Sequence, residues 1–409
     1  MSLLFQTLDD KQECVGVYSQ GEMAFGGENL PSNLTATWKY APYLRDISGI
    51  EYANLYAQGK AIEEMCPESL KDDWDDITKV MKAHSRALGI GQVSLRDNCL
   101  WEMIPEAVLK EFCEVRNQIT EHILETHPRP LNYDFLLSVT RVIEKIRHQK
   151  LNLYLPALKE DISDPIVLAF AKKIKNTPPE IVYNLFGTRT GRLATRPGTF
   201  PILNIKKEYR KIIRPNNDFF VEIDFNGAEL RVLLALLGHE QPTGDVHQWN
   251  LENVFGEGVT RDQAKTAFFA WLYGSKDPKL AKFSKSLEKF YDKEALLDEY
   301  WDRKNVTTEY FRKIACDAHH ALNFLVQSTS ADLTLEQMVK IDDLLEKWGT
   351  RTKIAFTVHD SVVLDFSLED RYLLGEIKTI MQTTPWGKFE VGMEIGRDYG
   401  NMKKMKDNL

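Results

Sequence analysis

The chain has 409 residues, of which 43% are hydrophobic and 27% charged, enough to bury a sizeable core and to form roughly two to four lobes. Its net charge of −8 excludes a protein coated in basic surface, although a basic groove on an acidic body stays compatible with nucleic acid. No apolar run approaches the ~20 residues that span a bilayer, and residues 1–10 lack the basic flank of a signal peptide. The five scattered cysteines fit reduced thiols and a cytoplasmic protein.

Residues 1–100 carry little functional signal. Val15–Tyr18 and Glu22–Phe25 flank a Gln20-Gly21 turn and predict a β-hairpin. The pattern from Ile50 to Leu88 predicts helices, and the acidic run inside it indicates a solvated helix face. We treat this segment as an accessory module of unknown role.

Residues 101–187 are predicted to be mainly helical. One helix is expected from Pro105 to His127 and another between Pro130 and Lys150, with apolar side chains on one face and basic side chains on the other. The basic face suits the backbone of a nucleic acid, and an ordinary solvated face explains it equally well.

The stretch Phe219–Arg231 predicts a strand, a turn and a helix, with Asp224 near the end of the strand. There a metal or a phosphate can reach its carboxylate, although a helix cap or a turn residue is the commoner role for such an aspartate. Just upstream, Thr190-Gly191-Arg192 lies in a glycine- and arginine-rich segment that lets the backbone approach a phosphate or a base edge.

Further along, His247 precedes a segment in which four residues are spaced by four and form one stripe of a predicted helix: Arg261, Lys265, Phe269 and Tyr273. Two cations followed by two rings suit a nucleoside triphosphate, whereas an amphipathic helix with an aromatic face explains only the rings.

A later predicted helix carries His319, Asn323 and Gln327. Two apolar strands then flank His359-Asp360-Ser361 at a hairpin tip. An imidazole and a carboxylate between buried strands cost desolvation energy unless they are paired or used, which favours a functional site.

From about Gly187 to the end, these segments follow the order of the motifs in the polymerase domain of family A DNA polymerases, the DNA polymerase I family and its phage relatives. Thr190-Gly191-Arg192 resembles the Thr-Gly-Arg element, and Asp224 to Arg231 resembles the first catalytic motif. The Arg261–Gly274 segment resembles the fingers helix, and Val358-His359-Asp360 resembles the last catalytic motif.

The resemblance implies an α+β right-hand polymerase fold with an antiparallel-sheet palm, helical fingers and a helical thumb. It implies an accessory module at 1–100, a thumb at 101–187, palm segments at 188–240 and 317–409, and reduced fingers at 241–316.

The resemblance also implies roles for individual residues. Asp224 and Asp360 would hold two Mg²⁺ ions, for which Mn²⁺ can substitute. The triphosphate of the incoming nucleotide would be bound by Arg261, Lys265 and His247. Phe269 would line the pocket for its sugar, and Tyr273 would support the templating base pair. Glu229 would exclude a ribose 2′-hydroxyl. Primer–template DNA would contact Arg192, Asn323, Gln327 and His359.

Three features depart from the family pattern. Ser361 stands where the family usually has Glu, His319 stands where many members have Arg, and the span from Gly274 to His319 is short. The short fingers suggest a phage-type enzyme that would work in the host cytoplasm.

The first 180 residues contain no Asp-x-Glu pair, which predicts the absence of a proofreading 3′–5′ exonuclease. An exonuclease, a helicase or a processivity factor would then be a separate partner.

Three alternatives stay open. A metal-dependent nuclease or phosphotransferase would use Asp224 and Asp360 without a template, but it leaves the cation–aromatic stripe unexplained. A catalytically weak, polymerase-like DNA-binding protein is supported only by Ser361. A single-subunit RNA polymerase shares the architecture, but Glu229 argues against it.

Overall fold

The computed structural model describes residues 3–405, apart from 12–13, 27–29, 32, 96, 162, 276 and 278–280. The chain divides into two compact units, Met1–His148 and Gln149–Leu409. Their boundary falls inside the span predicted as a thumb, and the assignment of thumb, palm and fingers stays a prediction. None of the described helices combines the length and the apolar character that crossing a bilayer requires.

The first unit starts with short strands and continues with helices. Its elements are β1 (Leu3–Leu4), β2 (Gln6–Asp9), β3 (Cys14–Ser19), β4 (Glu22–Phe25), β5 (Leu34–Thr37), β6 (Glu51–Tyr52), α1 (Ala53–Tyr56), α2 (Ile62–Met65), α3 (Lys71–Ile90), α4 (Glu106–Thr126) and α5 (Tyr133–Arg147). The predicted hairpin is confirmed as β3–β4. Its turn residues Gln20 and Gly21 both have positive φ, 51° and 83°, as a type I′ turn requires.

An aromatic cluster forms part of the core of the first unit. The rings of Trp74 and Phe112 stack at 5.6 Å, and those of Trp101 and Phe112 at 6.0 Å. The apolar face of α4 packs into the same core through buried Ile119 and Ile123. Because α4 also contacts β2, β3, β4 and β5, the two helices and the strands form one compact unit.

The second unit contains a five-stranded sheet and the longest helix. Its elements are β7 (Asn152–Leu153), α6 (Pro165–Lys175), β8 (Tyr183–Asn184), β9 (Ala194–Thr195), β10 (Ile213–Arg214), β11 (Phe219–Phe225), α7 (Ala228–Leu236), α8 (Val246–Asn250), α9 (Arg261–Leu272), α10 (Ala281–Phe290), α11 (Lys293–Tyr300), β12 (Asn305–Thr307), β13 (Lys313–Ala315), α12 (Ala318–Lys347), β14 (Lys353–Val358), β15 (Ser361–Phe366), α13 (Leu374–Gln382), β16 (Thr383–Thr384), β17 (Gly387–Lys388), β18 (Val391–Gly396) and β19 (Lys403–Lys404).

The sheet has the strand order β14-β15-β11-β18-β19, and each neighbouring pair is antiparallel. Side chains alternate between the two faces of a strand. In β11, Val221, Ile223 and Phe225 are buried, and the sheet contacts α12 and α13. Glu222 and Asp224 point to the opposite face, which is more open. The predicted antiparallel sheet of a mixed α+β fold is confirmed.

The β14–β15 hairpin turns at His359-Asp360. Val358 pairs with Ser361, so only two residues form the loop, and His359 has a φ of 56°. Positive φ at the first loop residue is the pattern of a type II′ turn, where glycine is usual. A non-glycine residue in this conformation costs about 1–3 kcal/mol, and such residues cluster at functional sites.

Candidate active site

Strand pairing brings the two predicted catalytic carboxylates close together. Asp224, one residue before the end of β11, pairs with Ser361 at the start of β15, and Asp360 precedes Ser361 in the turn. Directly opposite residues of antiparallel strands have Cα atoms about 4.5–5.5 Å apart and side chains on the same face. Two acidic groups from distant parts of the chain therefore meet at one end of the sheet.

Asp224 lies in an environment that opposes its negative charge. Its side chain is accessible, yet desolvation by the surrounding protein raises the pKa of Asp224 to about 7, with further increases from the charges of Asp360 and Glu222. Lys265 is a nearby cation that lowers this pKa. A carboxylate among other carboxylates ionises readily only when positive charge is supplied, so this rim of the sheet favours a cation.

The donor set fits a hard divalent cation. Mg²⁺ is commonly held by one or two carboxylates together with substrate phosphates, and Asp224 and Asp360 offer accessible oxygen ligands of this kind. A different acidic group, Asp342, Asp343 and Glu346, is the one set of at least three ligand atoms within 4.8 Å among the described residues. It lies in the last turns of α12 and includes neither aspartate of the sheet, so we assign it no role.

Glu229, in the first turn of α7, accepts hydrogen bonds from two of the predicted site residues. The Tyr273 hydroxyl donates to its Oε2 at 2.7 Å, and Arg192 Nη2 donates to its Oε1. The Glu229 side chain is only 7% exposed. The carboxylate of the predicted sugar-selecting residue thus joins the C-terminal end of α9 to the Thr190-Gly191-Arg192 segment.

The charged half of the predicted stripe begins at the first residue of α9. Arg261 donates from Nε and Nη2 to Asp245 Oδ2 at 2.9 and 2.7 Å. Lys265, one turn later, is exposed and lies close enough to Asp224 to lower its pKa. Lys265 is therefore accessible to an anion beside the carboxylates, whereas Arg261 would have to share or exchange its bond to Asp245.

The aromatic half of the stripe continues along α9 to its end. The Phe269 ring lies 5.7 Å from the Tyr273 ring and 5.7 Å from the His247 imidazole. Burial, Lys265 and Arg261 lower the pKa of His247 to about 4, and its Nδ1 has no hydrogen-bond partner among the described residues. His247 is therefore a neutral ring with an unused polar atom beside the stripe.

The turn between β11 and α7 fixes the start of α8. Gly227 has a φ of 67°, and a Cβ there would lie 2.5 Å from Val246 Cγ1. The buried Arg231 guanidinium donates to the carbonyl oxygens of Asn226, Pro242 and Gly244 at 2.7–2.8 Å. These contacts hold the segment that carries His247, and they give Arg231 a structural role.

The Thr190-Gly191-Arg192 segment is attached to the helical part of the second unit. Thr190 donates to Gln327 Oε1 at 2.8 Å. A Cβ on Gly191 would lie 2.5 Å from the Arg312 guanidinium carbon, and Arg312 forms a two-bond ion pair with the fully buried Asp332. A buried ion pair therefore supports this predicted DNA-contacting element.

The remaining predicted DNA-contacting residues have separate surroundings. Asn323 Oδ1 is buried without a hydrogen-bond partner among the described residues. His359 is exposed at the hairpin tip and lines a small cleft with Gly191 and Arg192. His319, one of the departures from the family pattern, lies against the segment that follows α9, since a Cβ on Gly274 would be 2.5 Å from its ring.

Sequence reasoning missed Glu222 and the Arg312–Asp332 pair as contributors to the site, and it named Arg231 only as the end of a motif, without its structural role. The alternation of side chains along β11 already places Glu222 on the face of Asp224, and that signal was available. Arg312 and Asp332 lie 20 residues apart, and Arg231 bonds to backbone carbonyls 5 to 13 residues away, so the periodicity of a single helix or strand contains no signal for these contacts.

The sequence of the chain is similar to bacterial DNA polymerases. It is 25% identical to DNA polymerase I of Caldicellulosiruptor bescii over 237 residues, which cover 47% of this chain and 28% of that protein. It is 26% identical to DNA polymerase I of Aquifex aeolicus over 289 residues, covering 61% and 47%. The matches thus span between about a quarter and a half of these relatives. No protein-family model matches the chain.

The fold has a solved counterpart. The POL domain of Pol1 from M. smegmatis, in a complex with DNA primer-template and dNTP, matches with a TM-score of 0.67 at 12% sequence identity. The match covers 98% of this chain and 96% of that one. At this identity the likeness concerns the fold, and it agrees with the predicted polymerase architecture.

Proposed function

We propose that the chain is a member of the family A DNA polymerases and a template-directed DNA polymerase that adds deoxynucleotides to a primer 3′-hydroxyl. The observation that carries this proposal is the meeting of Asp224 and Asp360 beside the cation–aromatic stripe of α9. A nuclease needs the carboxylates alone, whereas a triphosphate-binding stripe next to them serves nucleotide addition.

In this proposal Asp224 and Asp360 hold divalent cations, Mg²⁺ with Mn²⁺ as a substitute. Bound there, the cations would lower the pKa of the primer 3′-hydroxyl and neutralise charge on the leaving pyrophosphate. The two carboxylates fix the position of that charge because the β11–β15 pairing sets their spacing. Lys265 adds a flexible cation on the adjacent side, where triphosphate oxygens would lie.

The other fingers residues would bind and orient the nucleotide. Arg261 would contact the triphosphate after exchanging its bond to Asp245, and His247 has an unused ring nitrogen for the same purpose. Phe269 would line the sugar pocket, and Tyr273 would support the templating pair. Glu229 is held rigid by two hydrogen bonds, which suits a group that excludes a 2′-hydroxyl.

Primer–template DNA would contact Arg192, Asn323, Gln327 and His359. Base identity would be read by pairing with the template, so the protein needs only shape readout. The solved counterpart contains primer-template and dNTP, which supports these ligands for the present chain. Residues 101–187 would form the thumb, 188–240 and 317–409 the palm, and 241–316 the fingers.

We also propose that the chain has no 3′–5′ exonuclease and works in the cytoplasm, that of the host if the source is a phage. A separate exonuclease, helicase or processivity factor would complete the replication machinery. The test is incubation with a mismatched primer end and Mg²⁺: the primer should keep its length, and metal-dependent trimming would contradict the proposal.

Primer extension with deoxynucleotides and Mg²⁺ tests the main activity. Wild-type protein should extend a recessed primer, and Asp224→Ala and Asp360→Ala should each lose extension by a factor of about 10²–10³ while still binding DNA. Asp343→Ala, which removes an exposed carboxylate of α12, is the matched control and should extend normally. Unchanged extension in either sheet variant would refute the two-carboxylate role.

A further inference from the structure

A third carboxylate, that of Glu222, lies near Asp224 in the five-stranded sheet. It lies two residues before Asp224 on the same face of β11. Ser361 pairs with Asp224 across the sheet. Its hydroxyl donates a hydrogen bond to Glu222 Oε1 at 2.8 Å. Tyr399 OH is 3.4 Å from the same oxygen. The Ser361 hydroxyl also lies 3.0 Å from the Val358 carbonyl, but the shorter, charge-assisted bond to the carboxylate is the stronger one.

Glu222 forms no ion pair among the described residues, although Arg210 acts on its charge from a longer distance, and Glu394 lies opposite it on β18. A half-buried carboxylate without a directly paired cation costs desolvation energy unless another group uses its charge. Its side chain lies on the same face of β11 as Asp224, two residues away. Glu222 therefore contributes negative potential to the place where a cation would bind.

Ser361 occupies the position where the family usually has a carboxylate. In this chain a carboxylate lies instead on the neighbouring strand β11: Glu222 accepts a hydrogen bond from the Ser361 hydroxyl. On the basis of the proposed function, we infer that Glu222 and Ser361 together replace the missing acidic residue, with Glu222 acting as a positioning residue for the cation site.

Glu222 acts from outside the set of direct ligands. Its Oε1 already accepts hydrogen bonds from the Ser361 and Tyr399 hydroxyls. Its bond to Ser361 fixes the first residue after the His359-Asp360 turn, and this holds the Asp360 carboxylate in place. Groups that orient metal ligands typically affect metal affinity by about 10- to 100-fold.

The test measures Mn²⁺ binding without turnover. Full-length protein is mixed with a dideoxy-terminated primer–template and the next dNTP, and free Mn²⁺ is measured by electron paramagnetic resonance. Glu222→Gln should weaken Mn²⁺ binding by about 10-fold while DNA affinity stays within about 2-fold. Glu394→Gln is the matched control, because it removes a carboxylate from the same face without touching the Ser361 bond, and it should have a smaller effect than Glu222→Gln.

The reciprocal exchange gives the sharpest result. Glu222→Ser alone should weaken Mn²⁺ binding as Glu222→Gln does, and adding Ser361→Glu should restore it to within about 3-fold of wild type. If Glu222→Gln does not fold, Ser361→Ala decides the question, since it removes only the hydroxyl that positions Glu222 and should weaken Mn²⁺ binding measurably.

Two failures are distinguishable. A wild-type chain that extends primers, together with unchanged Mn²⁺ binding in Glu222→Gln or, if that variant is unfolded, in Ser361→Ala, would overturn this inference and leave the proposed function intact. A wild-type chain that neither extends primers nor needs Asp224 would overturn the proposed function itself.

Discussion

Replacing Asp332 by asparagine should strongly destabilise the second unit. Arg312 donates to Asp332 through Nε at 2.9 Å and Nη2 at 2.7 Å, and the two side chains are 11% and 0% exposed. Asparagine keeps the shape but removes the charge, so the guanidinium stays buried without a counter-ion. Breaking a buried pair in this way costs about 3–5 kcal/mol.

For a unit of this size, each kcal/mol lowers the melting temperature by about 2–4 °C, so Asp332→Asn should lower it by roughly 10 °C. Thermal unfolding followed by circular dichroism measures the change. Asp343→Asn, an exposed site on the same helix, should stay within about 0.5 kcal/mol of wild type. The double variant Arg312→Met with Asp332→Leu should regain much of the loss, because it leaves no buried charge unpaired.

Asp332→Asn also tests whether the ion pair supports the predicted DNA-contacting segment Thr190-Gly191-Arg192. Arg312 packs against Gly191, so a displaced guanidinium should weaken primer–template binding more than nucleotide binding. A melting temperature for Asp332→Asn equal to that of Asp343→Asn would refute the structural role of this ion pair.

Three further predictions concern the nucleotide side. Glu229→Ala should lower the preference for deoxyribonucleotides over ribonucleotides by about 100-fold in single-nucleotide kinetics; unchanged selectivity would mean that another group excludes the 2′-hydroxyl. Phe269→Tyr should admit dideoxynucleotides, because a ring hydroxyl can replace the missing 3′-hydroxyl contact, and persistent discrimination in a termination assay would mean that the stripe is misassigned. His247 titrates near pH 4 in the native state and near 6.5 when unfolded, so its contribution of about 3 kcal/mol is present above pH 6.5 and is lost as the pH falls toward 4. Urea unfolding at several pH values should therefore show a shallower loss of stability in His247→Gln; parallel curves would contradict this.

Local patterns predicted much of the fold that surrounds the site. The strand–turn–helix at Asp224 and the hairpin at His359-Asp360 were predicted because alternation, turn residues and helix periodicity are properties of short segments. The stripe on α9 was predicted for the same reason, apart from Tyr273, which stands one residue beyond the last residue of the helix.

The contacts that assemble the site could not be predicted in this way. The bond from Arg192 to Glu229 and the bond from Ser361 to Glu222 join residues far apart in sequence, and periodicity contains no information on such pairs. The meeting of Asp224 with the hairpin tip was expected from the family resemblance alone. It is the register of β11 against β15 that brings them together.

Single-nucleotide extension on four templates that differ only in the templating base tests the central claim most directly. Wild-type protein with Mg²⁺ should add the complementary deoxynucleotide on each template, and Asp360→Ala should add none while still binding the DNA. Addition of the same nucleotide whatever the template, or equal addition by Asp360→Ala, would contradict a template-directed polymerase built on these two carboxylates.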